Sequence, residues 1–413
     1  MTMTERNAQH DESPTESTTH VAPWRRLVLP VAAACLILGA IGIVIRLVQG
    51  HLPAGYGSYM PWGLWIAVYF HGVGIAAGAF AVTAFGYLRG WRGFRNRLSL
   101  QIGVVLVFAA IVPALLAVAL DLGQMFRAWE LVLSPSFSSM MAFNTWMYIA
   151  LLLVATLVWF LSLRPDSGWL KPVLALGILV SLMVPSQSGA FLGVVSANPF
   201  WHSALLPVML LVSAMTAGAA VLMVVRAQVG DARWAGVQDD PQHANDAIAI
   251  LRKITLAGLV LYFFLEFAEL SIALWSPYGG EAAVRLLLIG PYWWIFWVVH
   301  VVIGGLIPLA LLLTKKPALW VGAGLILSVA FISSRLNVLM PGQATEKLDG
   351  LQEAFFHPRL TYIYTPTLME YLVALFCLGL GVAVLWIGLR FTAEVNSRLA
   401  ARNAQKELHD VSA

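Results

Sequence analysis

The sequence predicts an all-α, polytopic membrane protein with about ten transmembrane helices. Three observations predict it. Of 413 residues, 60% are hydrophobic and only 11% are charged, whereas a soluble domain carries roughly 25% charged residues. The mean hydropathy is +0.79. The chain holds ten apolar runs, each close to the ~20 residues that a helix needs to cross the hydrocarbon core. A soluble enzyme is thereby excluded. The two cysteines, Cys35 and Cys377, both lie in apolar runs. They exclude a disulfide scaffold and are too few for an iron–sulfur cluster. No metal ligand set is visible.

The expected spans are 27–48, 62–88, 98–122, 140–163, 172–195, 204–225, 254–275, 292–313, 318–340 and 367–390. The segment 1–26 is a polar tail expected to be disordered. It is not a signal peptide, because the apolar run behind it is too long and lacks a small-residue cleavage site. The segment 391–413 is a second tail. With the N-terminus inside, the inner segments hold 19 of the 25 basic residues. The positive-inside rule then places both termini in the cytoplasm. The net charge of +4 follows from these inner loops and gives no reason to invoke nucleic acid.

A tandem repeat is expected. Spans two to five (62–195) and six to nine (204–340) read as two four-helix bundles, flanked by spans one and ten. Ala77-Gly78-Ala79 in span two matches Ala217-Gly218-Ala219 in span six. An even number of helices per unit makes the repeats parallel.

Ionisable groups in a bilayer cost several kcal/mol, so each needs an explanation. At about 1.5 Å per residue, His71, Asp121, Glu266, Glu269, His300, Arg335 and Glu370 all fall at the middle or in the outer half of the membrane. The inner half is expected to be dry. Each has a plain structural alternative. Arg335 pairs with an acid, Glu266 or Glu269 for example. His300 is a satisfied packing histidine. Asp121 and Glu370 are hydrated at the interface. Gly74-x-x-x-Gly78 beside His71 is a helix-packing motif. Glu266 and Glu269, three apart on one face, are expected to share a proton if they do not pair with Arg335.

The outer loops carry further candidates. Gly55-Tyr-Gly-Ser-Tyr59-Met-Pro-Trp62 is aromatic and glycine-rich. Ser186-Gln187-Ser188-Gly189, after Pro185, is expected to interrupt its span, which is tolerated only beside protein or a cavity. The loop 341–366 is the longest outer one, with Tyr362 and Tyr364 as aromatic-belt residues. Together these residues describe a polar pocket entered from the outer half of the membrane. A lipid-soluble quinone fits it, since its carbonyls need donors and its reaction moves two protons. Histidine and carboxylates can move them.

Several motifs resemble the NrfD-like family, the membrane subunits of polysulfide-reductase-type complexes, some hydrogenases and alternative complex III. Pro61-Trp-Gly-Leu-Trp-Ile-Ala67 followed by His71-Gly-Val-Gly74-Ile-Ala-Ala-Gly78 is similar to the second-helix signature. Asp121-Leu-Gly-Gln-Met-Phe-Arg127-Ala-Trp129 is similar to the stretch closing the third helix. Gln187-Ser-Gly with Pro199-Phe-Trp201-His-Ser and Pro207 resembles the junction of the fifth and sixth. Glu266-Phe-Ala-Glu269 resembles an acidic motif of the seventh, and Arg335-Leu-Asn337 with Tyr364-Thr-Pro366-Thr-Leu-Met-Glu370 a hydrogenase-type ending.

The resemblance covers about residues 30–390 and makes 27–390 one NrfD-like domain. It implies a non-covalent quinone (menaquinone or ubiquinone), no haem and no iron–sulfur cluster in this chain. It implies an outer, ferredoxin-like 4Fe–4S subunit and a large catalytic redox subunit as partners. The location implied is a bacterial inner membrane. His71 looks like the residue contacting the quinone, with Asp121 as its neighbouring acid and Gly74, Gln187, Tyr59 and Trp62 completing the quinone-binding set. Glu266, Glu269, Arg335, His300 and Glu370 are the proton-transfer candidates. Met125 stands where the family often has proline. Two other functions compete: a proton-coupled transporter, and a b-type cytochrome with His71 and His300 as haem ligands.

Overall fold

The computed structural model describes residues 24–412 except 137, 165–166, 230–239, 277–279, 349, 356 and 358–359. The expected tail 1–26 therefore lies almost wholly outside the described residues. Ten helices are long and apolar enough to cross a membrane. They are α1 (Trp24–Gln49), α2 (Leu64–Leu88), α3 (Arg97–Asp121), α4 (Met140–Ser162) and α5 (Leu170–Gly193). The second set is α6 (Leu206–Val229), α7 (Pro241–Trp275), α8 (Ile295–Leu313), α9 (Pro317–Ala344) and α10 (Leu368–Ser412). Among the described residues there is no strand. Ten crossings put both chain ends on one side, the terminal end. The described residues of the loops 50–63, 122–139, 194–205, 276–294 and 345–367 lie at the far end.

Three boundaries differ from expectation. α7 starts at Pro241 instead of 254. Asp240 caps it, its carboxylate accepting from the Gln242 N–H at 2.9 Å, and proline suits the first helical position. α10 runs on to Ser412 instead of ending at 390. Its extension is held by side chains: Asn396 and Gln101 of α3 exchange hydrogen bonds, and Trp159 of α4 donates to Thr392. α5 is not interrupted after Pro185; it continues as helix to Gly193. A transmembrane helix absorbs a proline where neighbours cover the freed carbonyl.

The neighbour pattern of α2–α5 recurs in α6–α9. In each set the first helix packs on the second and fourth, and the third packs on the fourth. α2 and α6 pack on each other between the sets. Their crossing falls on the matched motifs. A Cβ on Gly78 would collide with the Ala214 carbonyl, and one on Gly218 would collide with the backbone of Gly78 and Ala79. Small residues let helices without a hydrophobic driving force approach closely. α1 lies along α10 by the same device, at Gly39, Gly42 and Gly379.

Two irregularities shape the middle of the second set. Residues Ile295–Leu306 of α8 form a wide π-helical stretch around His300, a form often found at functional sites. α9 breaks after Ala330 and resumes at Ser333. At the break, the Ile332 N–H bonds back to Val329 at the i−3 position. The Ser328 carbonyl thereby loses its usual helical donor.

Candidate functional site

The Ser328 carbonyl finds its donor on α2. It lies 2.9 Å from His71 Nε2. A carbonyl only accepts, so Nε2 carries the proton and Nδ1 is left as an acceptor. Nδ1 is buried and has no partner. One turn along α2, Gly74 makes room for Arg335 of α9: a Cβ there would stand 3.3 Å from Arg335 Nη2. Arg335 is 3% exposed, and its Nε and Nη1 have no acceptor. Among the described residues it forms no ion pair. The expected structural pairing of Arg335 with Glu266 or Glu269 is not what the structure has.

Arg335 closes a narrow crevice between α2, α5, α6 and α9, too tight as it stands for a water molecule and lined also by Phe70, Val73, Gly74, Pro185, Ser188 and Leu210. Leu210 lies about 6 Å and Gly74 about 15 Å along their helices from the far end. The crevice thus sits in the half of the membrane that the sequence marked. Gly74 and Gly78 also both face Ala214 of α6, so the packing reading of this pair holds as well.

Glu266 is partnered elsewhere. Its Oε2 lies 2.8 Å from His300 Nε2, and its Oε1 accepts from the Tyr262 hydroxyl at 3.2 Å. Ser333 completes the chain. Its hydroxyl donates to the Ala330 carbonyl, so it accepts from His300 Nδ1 at 3.0 Å. Nδ1 therefore carries a hydrogen, and a single proton must lie between Nε2 and Glu266. His300 is fully buried, with Phe331 stacked on it. Both of its nitrogens are taken by the chain, so His71 and His300 are not arranged as two open haem ligands. Glu269 does not bond to Glu266; it accepts from Ser203 at 2.9 Å.

Asp121 does not meet His71. No hydrogen bond or ion pair joins them. Asp121 ends α3 beside a different cluster, where Arg46 donates to the Leu120 and Leu122 carbonyls and to His51. An arginine only donates, so His51 Nε2 accepts and Nδ1–H donates to Tyr56 Oη at 2.6 Å. Burial first, then Arg46, lowers the His51 pKa below its ordinary value. Burial, then Asp121 and Glu370, raises that of Tyr56.

Glu370 is not hydrated; it is fully buried. Thr367-Leu-Met-Glu370 opens α10 with one half of a capping box, the Glu370 carboxylate taking both the N–H and the hydroxyl of Thr367. Glu370 Oε2 accepts from Thr367 N–H and from Gly55 N–H, each at 2.9 Å, and Oε1 accepts from the Tyr364 hydroxyl. Tyr364 is buried in this network instead of forming an aromatic belt, and its pKa is raised by burial and then by Glu370.

The remaining candidates lie at the rim. Tyr59 stacks on Tyr362, Trp62 stacks on Trp201, and Gln187 approaches Met140 Sδ. None of the three lines the crevice. Sequence reasoning missed Ser328, Ser333, Tyr262 and Arg46, and took Ser188 only as part of an expected break in its span. It also missed buried polar groups toward the terminal end, Thr83, Gln101, Thr255 and Arg226. That half is free of buried carboxylates among the described residues, but it is not dry.

Residues 54–347 match the sequence profile of the family described as polysulphide reductase, NrfD. The chain belongs to the NrfD family. It is 26% identical to a selenate reductase subunit of Mesobacillus selenatarsenatis, over 93% of this chain and 96% of that protein. It is 24% identical to an Hdr-like menaquinol oxidoreductase integral membrane subunit of Archaeoglobus fulgidus, over 83% and 87%. Against the Escherichia coli protein NrfD the identity is 25%, over 69% and 95%. The first two relatives carry the names of redox-enzyme subunits, and the resemblance read from the motifs agrees with them.

Proposed function

We propose that this chain is the quinone-reactive membrane subunit of a respiratory oxidoreductase, with the quinone head group held at Arg335 in the crevice and bonded to His71, which adjoins the lining residue Phe70 in sequence and does not itself line the crevice. The observation that carries it is the buried guanidinium of Arg335, which has nitrogens without acceptors and acts electrostatically on His71, whose Nδ1 is likewise without a partner. A buried charge that the chain does not pair is costly. A ligand oxygen that accepts from Arg335 and shares a proton with His71 Nδ1 satisfies both. A quinone supplies two-electron, two-proton redox chemistry when bound there. Gly74 lets Arg335 reach the crevice, and Phe70 and Leu210 must swing aside to admit a ring.

The relative named as a menaquinol oxidoreductase subunit supports this reading and favours it over a transporter. By the same reading, electrons pass at the far end to an iron–sulfur protein, and a larger redox enzyme completes the assembly. The basic inner loops support cytoplasmic termini. The recurrent packing supports residues 62–195 and 204–340 as two four-helix bundles. Tyr262, Glu266, His300 and Ser333 form a proton-holding chain in the second.

The test is His71→Ala in the intact complex. Quinone-linked turnover should fall by about a hundredfold or more, the contribution of a positioned proton-transfer group. Dye-linked activity of the partner subunits should persist. Normal quinone-linked turnover would end the assignment.

A further inference from the structure

Toward the terminal end, one arginine is held in place without being answered. Arg252 of α7 is half-buried. Its Nε donates to the Leu312 carbonyl of α8 at 2.6 Å. Its guanidinium carbon lies 4.8 Å from the centre of the Trp320 ring of α9. Trp320 is itself anchored, its Nε1 donating to the Thr314 carbonyl at 2.8 Å. Three helices thus meet at one planar cation. The Nε bond and the ring hold it in place. Among the described residues the chain gives its Nη groups no acceptor and its charge no carboxylate. Three more cations adjoin this contact. Lys253 is the next residue of α7, and Lys315 and Lys316 follow Thr314 in the loop between α8 and α9. All three are exposed, and among the described residues none forms an ion pair. The depth is definite too. The apolar run of α7 begins at Ile254 and that of α8 ends at Leu313. The four cations therefore lie where hydrocarbon gives way to phosphate. Leu313 and Leu319, 61% and 36% exposed, offer apolar surface beside them.

We propose that Arg252, with Lys253, Lys315 and Lys316, binds the phosphodiester headgroup of an anionic phospholipid in the leaflet on the terminal side. The positive-inside rule asks only for charge on that side. It does not ask for a guanidinium stacked on an indole with its fork left free. Such a fork suits two oxygens of one phosphate. Basic pockets between transmembrane helices on the cytoplasmic face recognise anionic headgroups in this way. The lysines add attraction without a fixed geometry. A headgroup at Arg252 ties together the terminal ends of α7, α8 and α9. These are the helices that carry Tyr262 and Glu266, His300, and Ser333. The lipid would therefore brace the closed chain from below, at the opposite end of the membrane from the crevice. The site stands or falls independently of the quinone assignment.

The test uses the intact complex in detergent. Phosphatidylglycerol or phosphatidylcholine is titrated in, bound lipid is counted by native mass spectrometry, and melting is followed on the same samples. The parent should retain phosphatidylglycerol about tenfold or more tightly than phosphatidylcholine, and should melt higher in its presence. Arg252→Lys keeps the charge, and so the topology signal, but loses the fork. It should weaken phosphatidylglycerol retention about tenfold, the loss of one charge-assisted hydrogen bond. Lys315→Ala and Lys316→Ala should each weaken it about fivefold, as removal of one cation at a charged membrane surface does. Lys171→Ala, in another inner loop, should change nothing. Dye-linked activity of the partner subunits should persist in every variant, which shows that the complex still assembles. Equal retention of the two lipids by the parent overturns the site. So does parent-like retention in Arg252→Lys and Arg252→Ala. Inorganic phosphate that raises the melting temperature as much as phosphatidylglycerol does would give the site to a soluble anion and overturn the lipid.

Discussion

Among the described residues two histidines are buried in this membrane bundle, and the chain treats them in opposite ways. His300 has every polar atom answered: Glu266 on one nitrogen, Ser333 on the other, Phe331 against the ring. His71 has one nitrogen tied to Ser328 and the other left open, and among the described residues none balances the charge of Arg335, which acts on it. A satisfied buried network rigidifies its surroundings, and an unsatisfied one is paid for by something else. The closed network thus lies inside the second set of helices, while the place left open for a ligand lies where the two sets meet, at His71 of α2 and Arg335 of α9.

The sharpest way to break the comparison is to remove one charge from each site. Arg335→Ala should reduce quinone-linked turnover by about a hundredfold or more, as loss of an oriented donor does. It should leave thermal stability near that of the parent, because no partner in the chain is stranded. Glu266→Ala should do the reverse to stability. It leaves the Tyr262 hydroxyl and His300 Nε2 without their acceptor, at about 1–3 kcal/mol for each buried group. Glu266→Gln keeps an acceptor and should recover part of the loss. Melting curves and turnover on the same preparations check both. An Arg335→Ala protein as unstable as Glu266→Ala would show that Arg335 is structural, and the contrast would collapse.

What the sequence made legible divides along the same line. Charged residues in apolar runs are costly to insert, so His71, Glu266, Glu269, His300, Arg335 and Glu370 were all visible, as were the ten spans. Hydroxyls cost little and leave no trace in hydropathy. Ser333, whose hydroxyl holds His300, was therefore invisible, and Ser328 holds His71 through a backbone carbonyl that only the helix break frees. The break at Phe331–Ile332 has no proline or glycine to announce it, and the π-helical stretch of α8 has no known signature. Glu370 was visible twice. Thr367-x-x-Glu370 spells a capping box, but a carboxylate at the start of a span reads first as chemistry. The pairing of Asp121 with His71 did not follow from motif order, because helix ends that are adjacent in sequence logic face different neighbours here.

A smaller effect tests whether the two sets meet as equals. Gly78 and Gly218 each occupy the other helix's closest approach. A methyl group at either must push the same two backbones apart. Gly78→Ala and Gly218→Ala should each destabilise by about 1–3 kcal/mol, the range for overpacking, and by similar amounts. Urea or thermal denaturation in detergent measures it. A large cost at Gly78 with none at Gly218 would mean that the crossing belongs to α2 alone. The crevice, one turn away at Gly74, would then be set by the first set of helices and not by their junction.

The smallest effect uses a third histidine to calibrate the other two. His51 is only partly buried, at the far end of α1, and is neither closed like His300 nor open like His71. It accepts from Arg46 and donates to Tyr56, with Asp121 and Glu370 close enough to act on Tyr56. Its folded pKa is depressed, by burial and then by Arg46. Below the ordinary histidine pKa of about 6.5 the unfolded chain therefore binds more protons than the folded one. Its contribution to stability is complete above that pH and is lost as pH falls toward the folded value. Melting temperature should thus drop on acidification from neutral pH, and His51→Gln should flatten the slope by removing the titrating group. The Arg46 contact at Leu120 and Leu122 does not require His51 and should survive the substitution. If the slope is unchanged in His51→Gln, the acid sensitivity arises deeper in the bundle.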